Sequence, residues 1–309
     1  MSKVYDILII GGGPAGYTAA LYGARSGFAT AVLEKLSPGG QMATTSDVEN
    51  YPGFPGVVDG FELGERMQEG AEKAGAETFF AEVSKVDLLA DPKVVETSEG
   101  TFLGRTVILA TGAHPRKLGI PQEEALVNRG VAYCATCDGA FYRDVPVCVV
   151  GGGDSACEEA MFLTRFASRV YLIHRRDTLR ASKIMAERTL SNEKIFPMWN
   201  STIVSYKTDD KGELEAVMLK DVVEGDETEL PVKCVFMAIG HTPNTSFLGD
   251  LVDRDDAGYI IRKTGMMATR TPGLFAAGDV ADPHYRQAIS SAGMGCSAAI
   301  EAERYLLGL

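Results

Sequence analysis

The 309-residue sequence predicts an α/β fold, and three observations predict it. Residues 5–10 (YDILII) form a short apolar run that stops at a glycine cluster, and a helix-like stretch and a second apolar run, AVLEK at 31–35, follow. The plan then repeats as VPVCVV at 145–150, GGGDSACEEAMFLTRFAS, and RVYLIHRR at 169–176. The two stretches align without a gap at an offset of 140, which sets Gly11 on Gly151 and Gly13 on Gly153. Finally, 45% hydrophobic and 23% charged residues are ample for a packed core. At roughly 150 residues per domain, the length predicts two domains.

Taken in order, each unit reads as strand, glycine turn, helix, strand. The first carries Gly11, Gly13 and Gly16 with Pro14 and Ala15 between them, and the second carries Gly151, Gly153 and Ala156. This is the G-x-G-x-x-G/A pattern, whose glycines allow a tight turn and a close approach of backbone to a pyrophosphate at the helix N-terminus. Two Rossmann-like dinucleotide-binding domains are therefore expected. Glu34 lies about 20 residues beyond the first turn, where a carboxylate accepts hydrogen bonds from a ribose hydroxyl, as FAD or NAD would require. The position aligned with it is His174, followed by Arg175, Arg176 and Arg180, a cluster suited to clamping the 2′-phosphate of NADPH. Two such sites on one chain imply electron transfer between two cofactors.

Lys plus Arg is 30 and Asp plus Glu is 42, and the net charge of −12 disfavours nucleic-acid binding. No run of about 18 uncharged apolar residues is present, so no membrane span is expected. No secretory signal is read at the N-terminus, and a cytoplasmic location is expected. Six cysteines are too few for a disulfide scaffold, and only Cys134 and Cys137 are close together. Their two-residue spacer lets the sulfurs reach bonding distance and lowers the pKa of one thiol. A zinc half-site is the alternative, but the other cysteines (Cys148, Cys157, Cys234, Cys296) and the histidines (His114, His174, His241, His284) show no ligand spacing, so no metal is expected. Asp138 directly follows Cys137 and can give or take the proton that disulfide exchange requires. The other four cysteines are expected in the core.

The motifs GGGPAG, PGGQ, ATGA, GVAY followed by CATCDG, GGGDSA, HRRxxxR, AIGHTPNT, AAGDV and YRQA occur in this order. From Tyr5 to Leu306 the chain closely resembles the low-molecular-weight thioredoxin reductases, and a CATC just ahead of the second nucleotide unit is specific to that group. The resemblance implies an FAD domain at 1–115 and 244–309, with an NADPH domain carrying the CxxC inserted at 116–243. Proline-bearing connections at 114–122 and 240–249 agree with those boundaries. It also implies that the inserted domain alternates between two orientations.

For FAD the resemblance implies contacts from Gly11, Gly13, Pro14, Ala15, Gly16, Glu34, Lys35, Gly40, Gln41 and Asn50. Ala110, Thr111, Gly112, Gly278, Asp279, Arg286, Gln287 and Ala288 complete that set, with the last three opening the final helix. For NADPH it implies Gly151, Gly153, Asp154, Ser155, His174, Arg175, Arg176, Arg180 and Gly240. Electrons would pass from NADPH to FAD and through Cys137 into the disulfide, freeing Cys134 to reduce thioredoxin, with Asp138 moving protons. A homodimer is implied as well. The alternative is a ferredoxin-linked or oxygen-linked flavin dithiol oxidoreductase of the same fold, against which the cluster at His174–Arg176 and Arg180 argues.

Overall fold

The computed structural model describes residues 3–45 and 47–309. The chain divides into two units, one formed by Met1–His114 with His241–Leu309 and the other by Pro115–Gly240.

The first unit is built on a seven-stranded sheet. Glu77–Phe80, Thr30–Glu34, Val4–Ile10 and Gly100–Leu109 run parallel in that order, and Leu274–Ala276 pairs parallel with residues 107–109. Lys93–Thr97 and Val83–Asp87 extend the sheet antiparallel from the other half of Gly100–Leu109. The central strands are unbroken apolar runs because both faces are covered. Ile7 and Ile9 pack to one side with Ala19, Ala20, Ala298 and Ala302 of the helices Pro14–Arg25 and Ala288–Leu307. Leu8, Ile10 and Leu109 pack to the other with Val95, Leu248 and Val252. Each of these large side chains contributes about 2 kcal/mol by leaving water. The helix Gly60–Lys73 starts at Asp59, whose carboxylate accepts from the Glu62 amide at 3.0 Å.

One contact in this unit bears on the site. A Cβ placed on Gly295 would lie 2.0 Å from the Ala15 carbonyl oxygen, so Ala288–Leu307 and Pro14–Arg25 meet backbone to backbone. The final helix is thereby held against the first glycine turn.

The second unit has a five-stranded parallel sheet in the order Ile195–Met198, Arg169–Ile173, Pro146–Val150, Cys234–Met237 and Val131–Ala132. Val147, Val149 and Leu172 face the helix Asp154–Leu163 through Ala156, Ala160 and Leu163. Cys148, Val150 and Ile173 face a three-stranded antiparallel sheet, Ser201–Thr208, Leu214–Asp221 and Glu227–Pro231, through Ile203, Val217 and Leu219. That second sheet was not anticipated from the sequence. Cys148, Cys157 and Cys234 are buried and Cys296 is half-buried. Among the described residues no helix is long and apolar enough to cross a membrane.

Candidate functional site

In the first unit the strand Val4–Ile10 ends at Gly11, which takes φ 106°. A Cβ there would sit 2.3 Å from the Ala110 carbonyl oxygen, so only glycine lets the turn cross the end of the neighbouring strand. Gly16 is equally constrained, because its Cβ would fall 1.8 Å from the Gly11 carbonyl oxygen. The helix Pro14–Arg25 opens with Gly13 at its N-cap, Pro14 in its first turn and no side-chain cap, leaving its first amides directed outward. Glu34 reaches back, its Oε2 accepting from the Gly12 amide at 2.6 Å and its Oε1 from the Leu36 amide at 3.1 Å. Gly40, at φ 57°, brings its backbone against Gly13, and the Gly39 amide donates to the Gly12 carbonyl at 2.8 Å.

The fold brings several sequence-distant expected residues to this turn. Gly278, at φ 80°, packs on the Ala15 methyl, and the carboxyl of its neighbour Asp279 accepts from the Ser291 hydroxyl at 2.9 Å. Burial pushes the Asp279 carboxyl up, against the opposing effect of the Ser291 hydrogen bond. Gln287 is the N-cap of Ala288–Leu307, and Asn50 Nδ2 donates to its Oε1 at 3.3 Å. Arg286 precedes it at φ 47°. Thr111 and Gly112 are held by Asn244: its amide donates to the Gly112 carbonyl at 3.0 Å, its Nδ2 to the Thr111 carbonyl at 2.7 Å, and its own carbonyl accepts from Thr111 Oγ1 at 2.9 Å. Lys35 is drawn elsewhere, into an exposed ion pair with Glu82 at 2.6 Å. Gln41 is exposed in the short helical turn Gly40–Thr44.

In the second unit a Cβ on Gly151 would lie 2.5 Å from the Ala238 carbonyl oxygen and 2.7 Å from the Ala156 methyl. The helix Asp154–Leu163 again opens on an N-cap glycine, Gly153, without a side-chain cap. Asp154 Oδ1 accepts from both the amide and the hydroxyl of Ser182 at 2.9 Å, and these bonds pull its carboxyl below the usual range. The Arg180 amide donates to the Gly152 carbonyl at 2.6 Å, and the Arg180 guanidinium lies beside Gly153. Arg175, Arg176 and Arg180 are exposed, and no ion pair among the described residues engages them. Ser155 is exposed in the first turn of the same helix. Gly240 closes the unit at φ 100°, its carbonyl accepting from the Arg116 amide at 2.9 Å.

His174 differs from its expected place beside the arginines. It is buried, with its ring under Gly152, where a Cβ would come within 2.3 Å of Cε1, and with its edge toward Trp199 at 6.4 Å between centroids. Burial lowers its pKa and the nearby arginines lower it further, so the ring packs as a neutral group.

Cys134 and Cys137 are joined, with Cα atoms 5.3 Å apart, at the start of the short helix Ala135–Asp138. Cys134 Sγ accepts from the Cys137 amide at 3.2 Å and lies 3.3 Å from Thr136 Oγ1. Burial raises the Asp138 carboxyl from 3.8 to about 6. A carboxyl raised this far holds and gives up its proton closer to neutrality than an ordinary aspartate does, which suits it to moving a proton at an adjacent sulfur.

Both glycine turns fit a dinucleotide on these observations: each has an uncapped helix N-terminus, and each has a backbone surface on which a Cβ at the first glycine would collide. The carboxylate at the first and the exposed arginines at the second give the two turns opposite side-chain charge. Sequence reasoning missed Asn244, Ser182 and Ser291, the residues that hold the expected ones in place. Their only signal is a polar side chain near a motif, which is not distinctive.

The chain matches the pyridine nucleotide-disulphide oxidoreductase family over residues 5–295. It is 48% identical over 311 residues to the thioredoxin reductase of Streptomyces clavuligerus, covering 100% of this chain and 96% of that one. It is 50% identical over 303 residues to the thioredoxin reductase of Mycolicibacterium smegmatis, covering 98% and 97%. The crystal structure of the thioredoxin reductase of Streptococcus pyogenes superposes with a TM-score of 0.92 at 43% identity, covering 100% of both chains. With about half its residues shared along its full length, this chain belongs to the pyridine nucleotide-disulphide oxidoreductases, within their low-molecular-weight thioredoxin reductase branch.

Proposed function

We propose that the protein is an NADPH-dependent thioredoxin-disulfide reductase, with FAD held at the first glycine turn and NADPH at the second. The observation that carries this reading is the joined Cys134–Cys137 pair with the half-buried Asp138 beside it, in the same unit as the arginine-flanked glycine turn. When bound, NADPH and FAD together supply the two electrons that open the disulfide. All else in this proposal belongs to the chain's own residues.

Opening the Cys134–Cys137 bond takes two electrons and two protons and leaves a dithiol. The Cys137 amide and the Thr136 hydroxyl both face Cys134 Sγ, and two donors at one sulfur favour its thiolate. Cys134 then attacks the partner's disulfide, forming a mixed disulfide and releasing one partner thiolate, which Asp138 protonates. Cys137 next gives up its proton and attacks Cys134 Sγ, the second partner sulfur leaves carrying that proton, and the Cys134–Cys137 bond is restored. Glu34 is assigned to a ribose of FAD, with Asp279, Asn50 and Gln287 along the rest of the cofactor. Arg175, Arg176 and Arg180 are assigned to the 2′-phosphate of NADPH, and His174 to supporting the turn beneath them. A boundary near residues 115 and 243 between the two cofactor domains, a homodimer and a cytoplasmic location complete the proposal.

Anaerobic titration of the purified protein with NADPH, followed by oxidised thioredoxin and a colorimetric thiol reporter, tests it. Bleaching of a flavin absorbance and thioredoxin-dependent turnover are expected. Cys134→Ser keeps the bleaching and loses thioredoxin turnover, and retained turnover in that variant would overturn the scheme. A limb of the pH–rate profile that falls as pH rises through about 6, as Asp138 gives up its proton, disappears in Asp138→Asn.

A further inference from the structure

We propose that the buried Glu123 and the half-buried Tyr133 form a tether that positions Cys134 for attack on the partner's disulfide, an inference that rests on the reductase reading above. Glu123 is only 3% exposed. Its Oε1 accepts from the Leu118 amide at 3.1 Å and from Tyr133 Oη at 3.2 Å, and its Oε2 accepts from the Gly119 amide at 2.8 Å and the Ile120 amide at 3.4 Å. The carboxylate is an acceptor-only group, and all four of these partners are donors. The nearby cation, Lys117, pairs instead with Glu124. Gln122 takes φ 72°, a backbone that a non-glycine residue adopts only where its surroundings enforce it, and this turns Glu123 back onto residues 118–120.

Tyr133 is the residue immediately before Cys134. On its other side, Val131 and Ala132 are paired with Val235 and Phe236 in the five-stranded sheet. The backbone entering the redox turn is therefore held at two points, by the sheet at residue 132 and by Glu123 through the Tyr133 phenol. Burial raises the pKa of that phenol and the carboxylate raises it further, so it stays a donor throughout the working range. While the disulfide is closed, Cys134 Sγ is also fixed covalently. Once the bond opens that restraint is gone, and the direction of the Cys134 thiolate depends on the backbone that Tyr133 anchors. Misalignment of a nucleophile by about an ångström is enough to slow attack by an order of magnitude or more. Tyr133 and Glu123 are thus positioning residues, which act through the backbone of Cys134.

The test compares turnover of oxidised thioredoxin with turnover of ferricyanide, which draws electrons from NADPH-reduced enzyme without using the disulfide. Tyr133→Phe keeps the ring and removes one hydroxyl. It is expected to lower kcat for thioredoxin about tenfold, with KM for thioredoxin and the ferricyanide rate unchanged. Glu123→Gln is expected to do the same, and the double variant to be no slower than the slower single one. Because Glu123→Gln can disturb the 118–123 turn, Tyr133→Phe decides the matter by itself. Wild-type kcat in Tyr133→Phe, an equal loss with both acceptors, or losses that multiply in the double variant would each overturn the tether. Wild-type turnover of thioredoxin is measured alongside, and its absence would overturn the reductase reading together with the tether.

Discussion

The two glycine turns share one backbone solution and differ in what surrounds it. At an offset of 140, the strand Val4–Ile10 and helix Pro14–Arg25 correspond to Pro146–Val150 and Asp154–Leu163. Gly11 and Gly151 are both glycines because a carbonyl oxygen just past the end of a neighbouring strand, that of Ala110 or Ala238, stands where a Cβ would go. The third position separates them. Gly16 lies so close to the Gly11 carbonyl that no methyl fits, whereas Ala156 presents a methyl toward Gly151. The residue after the second strand separates them again. Glu34 hydrogen-bonds the Gly12 amide as a carboxylate, while His174 slides a neutral ring under Gly152 and leaves the exposed charge to Arg175, Arg176 and Arg180. The turn's geometry is a backbone requirement common to both, and the charge each turn presents is set by side chains about 20 residues further on.

The largest effect that can break this comparison is expected at the third glycine. Gly16→Ala drives a methyl into a backbone oxygen and should cost about 3 kcal/mol or more, with loss of bound flavin, read by thermal melting and flavin absorbance. The reverse change in the other unit, Ala156→Gly, should cost only about 1 kcal/mol, the ordinary helix penalty of glycine. Equal effects would show that the two turns are packed alike after all.

Next comes the charge contrast. Arg180→Ala should raise KM for NADPH on the order of 10-fold to 100-fold while leaving KM for NADH unchanged, since only the former carries a 2′-phosphate. A parallel rise for both nucleotides would place Arg180 on a shared part of the ligand. The contact between His174 and Gly152 sharpens the comparison further. Gly152→Ala should destabilise by about 2 kcal/mol, and adding His174→Ala should return roughly half of that, a coupling visible in a denaturation double-mutant cycle. Purely additive losses would mean that the ring is not what fills the space. The smallest effect is expected at Glu34→Gln, which keeps an acceptor for the Gly12 amide and loses about 1 kcal/mol of FAD affinity, measured by equilibrium release of flavin.

Much of this was legible in sequence because it is local. Strands expected at 5–10 and 145–150 are observed at Val4–Ile10 and Pro146–Val150, and the final helix begins at Ala288 with Gln287 as its cap. Apolar runs bounded by glycines specify these elements through chain stiffness and burial alone. The Cys134–Cys137 pair was legible for the same reason, since a two-residue spacer decides whether two sulfurs can meet. His174 was not, because its burial depends on Gly152 and Trp199 lying on either side of it, 22 residues before and 25 after. Nor was Glu123, whose donors at 118–120 are local but whose fourth, Tyr133, comes only with the strand Val131–Ala132. The antiparallel sheet at 201–231 escaped because its strands alternate irregularly, with two register shifts in the first pairing.

By itself the sequence determined the two repeated units, the redox pair and the sign of the charge at each turn, since these follow from residue type and spacing along one stretch of chain. Only the tertiary structure decided that Asn50 meets Gln287, that Ser291 holds Asp279, that His174 supports a turn, and that Glu123 ties residues 118–120 to the residue before Cys134. Each of those is a contact between residues on different elements. Such a contact exists only once packing has paid the entropy of bringing the elements together, and no local pattern announces it.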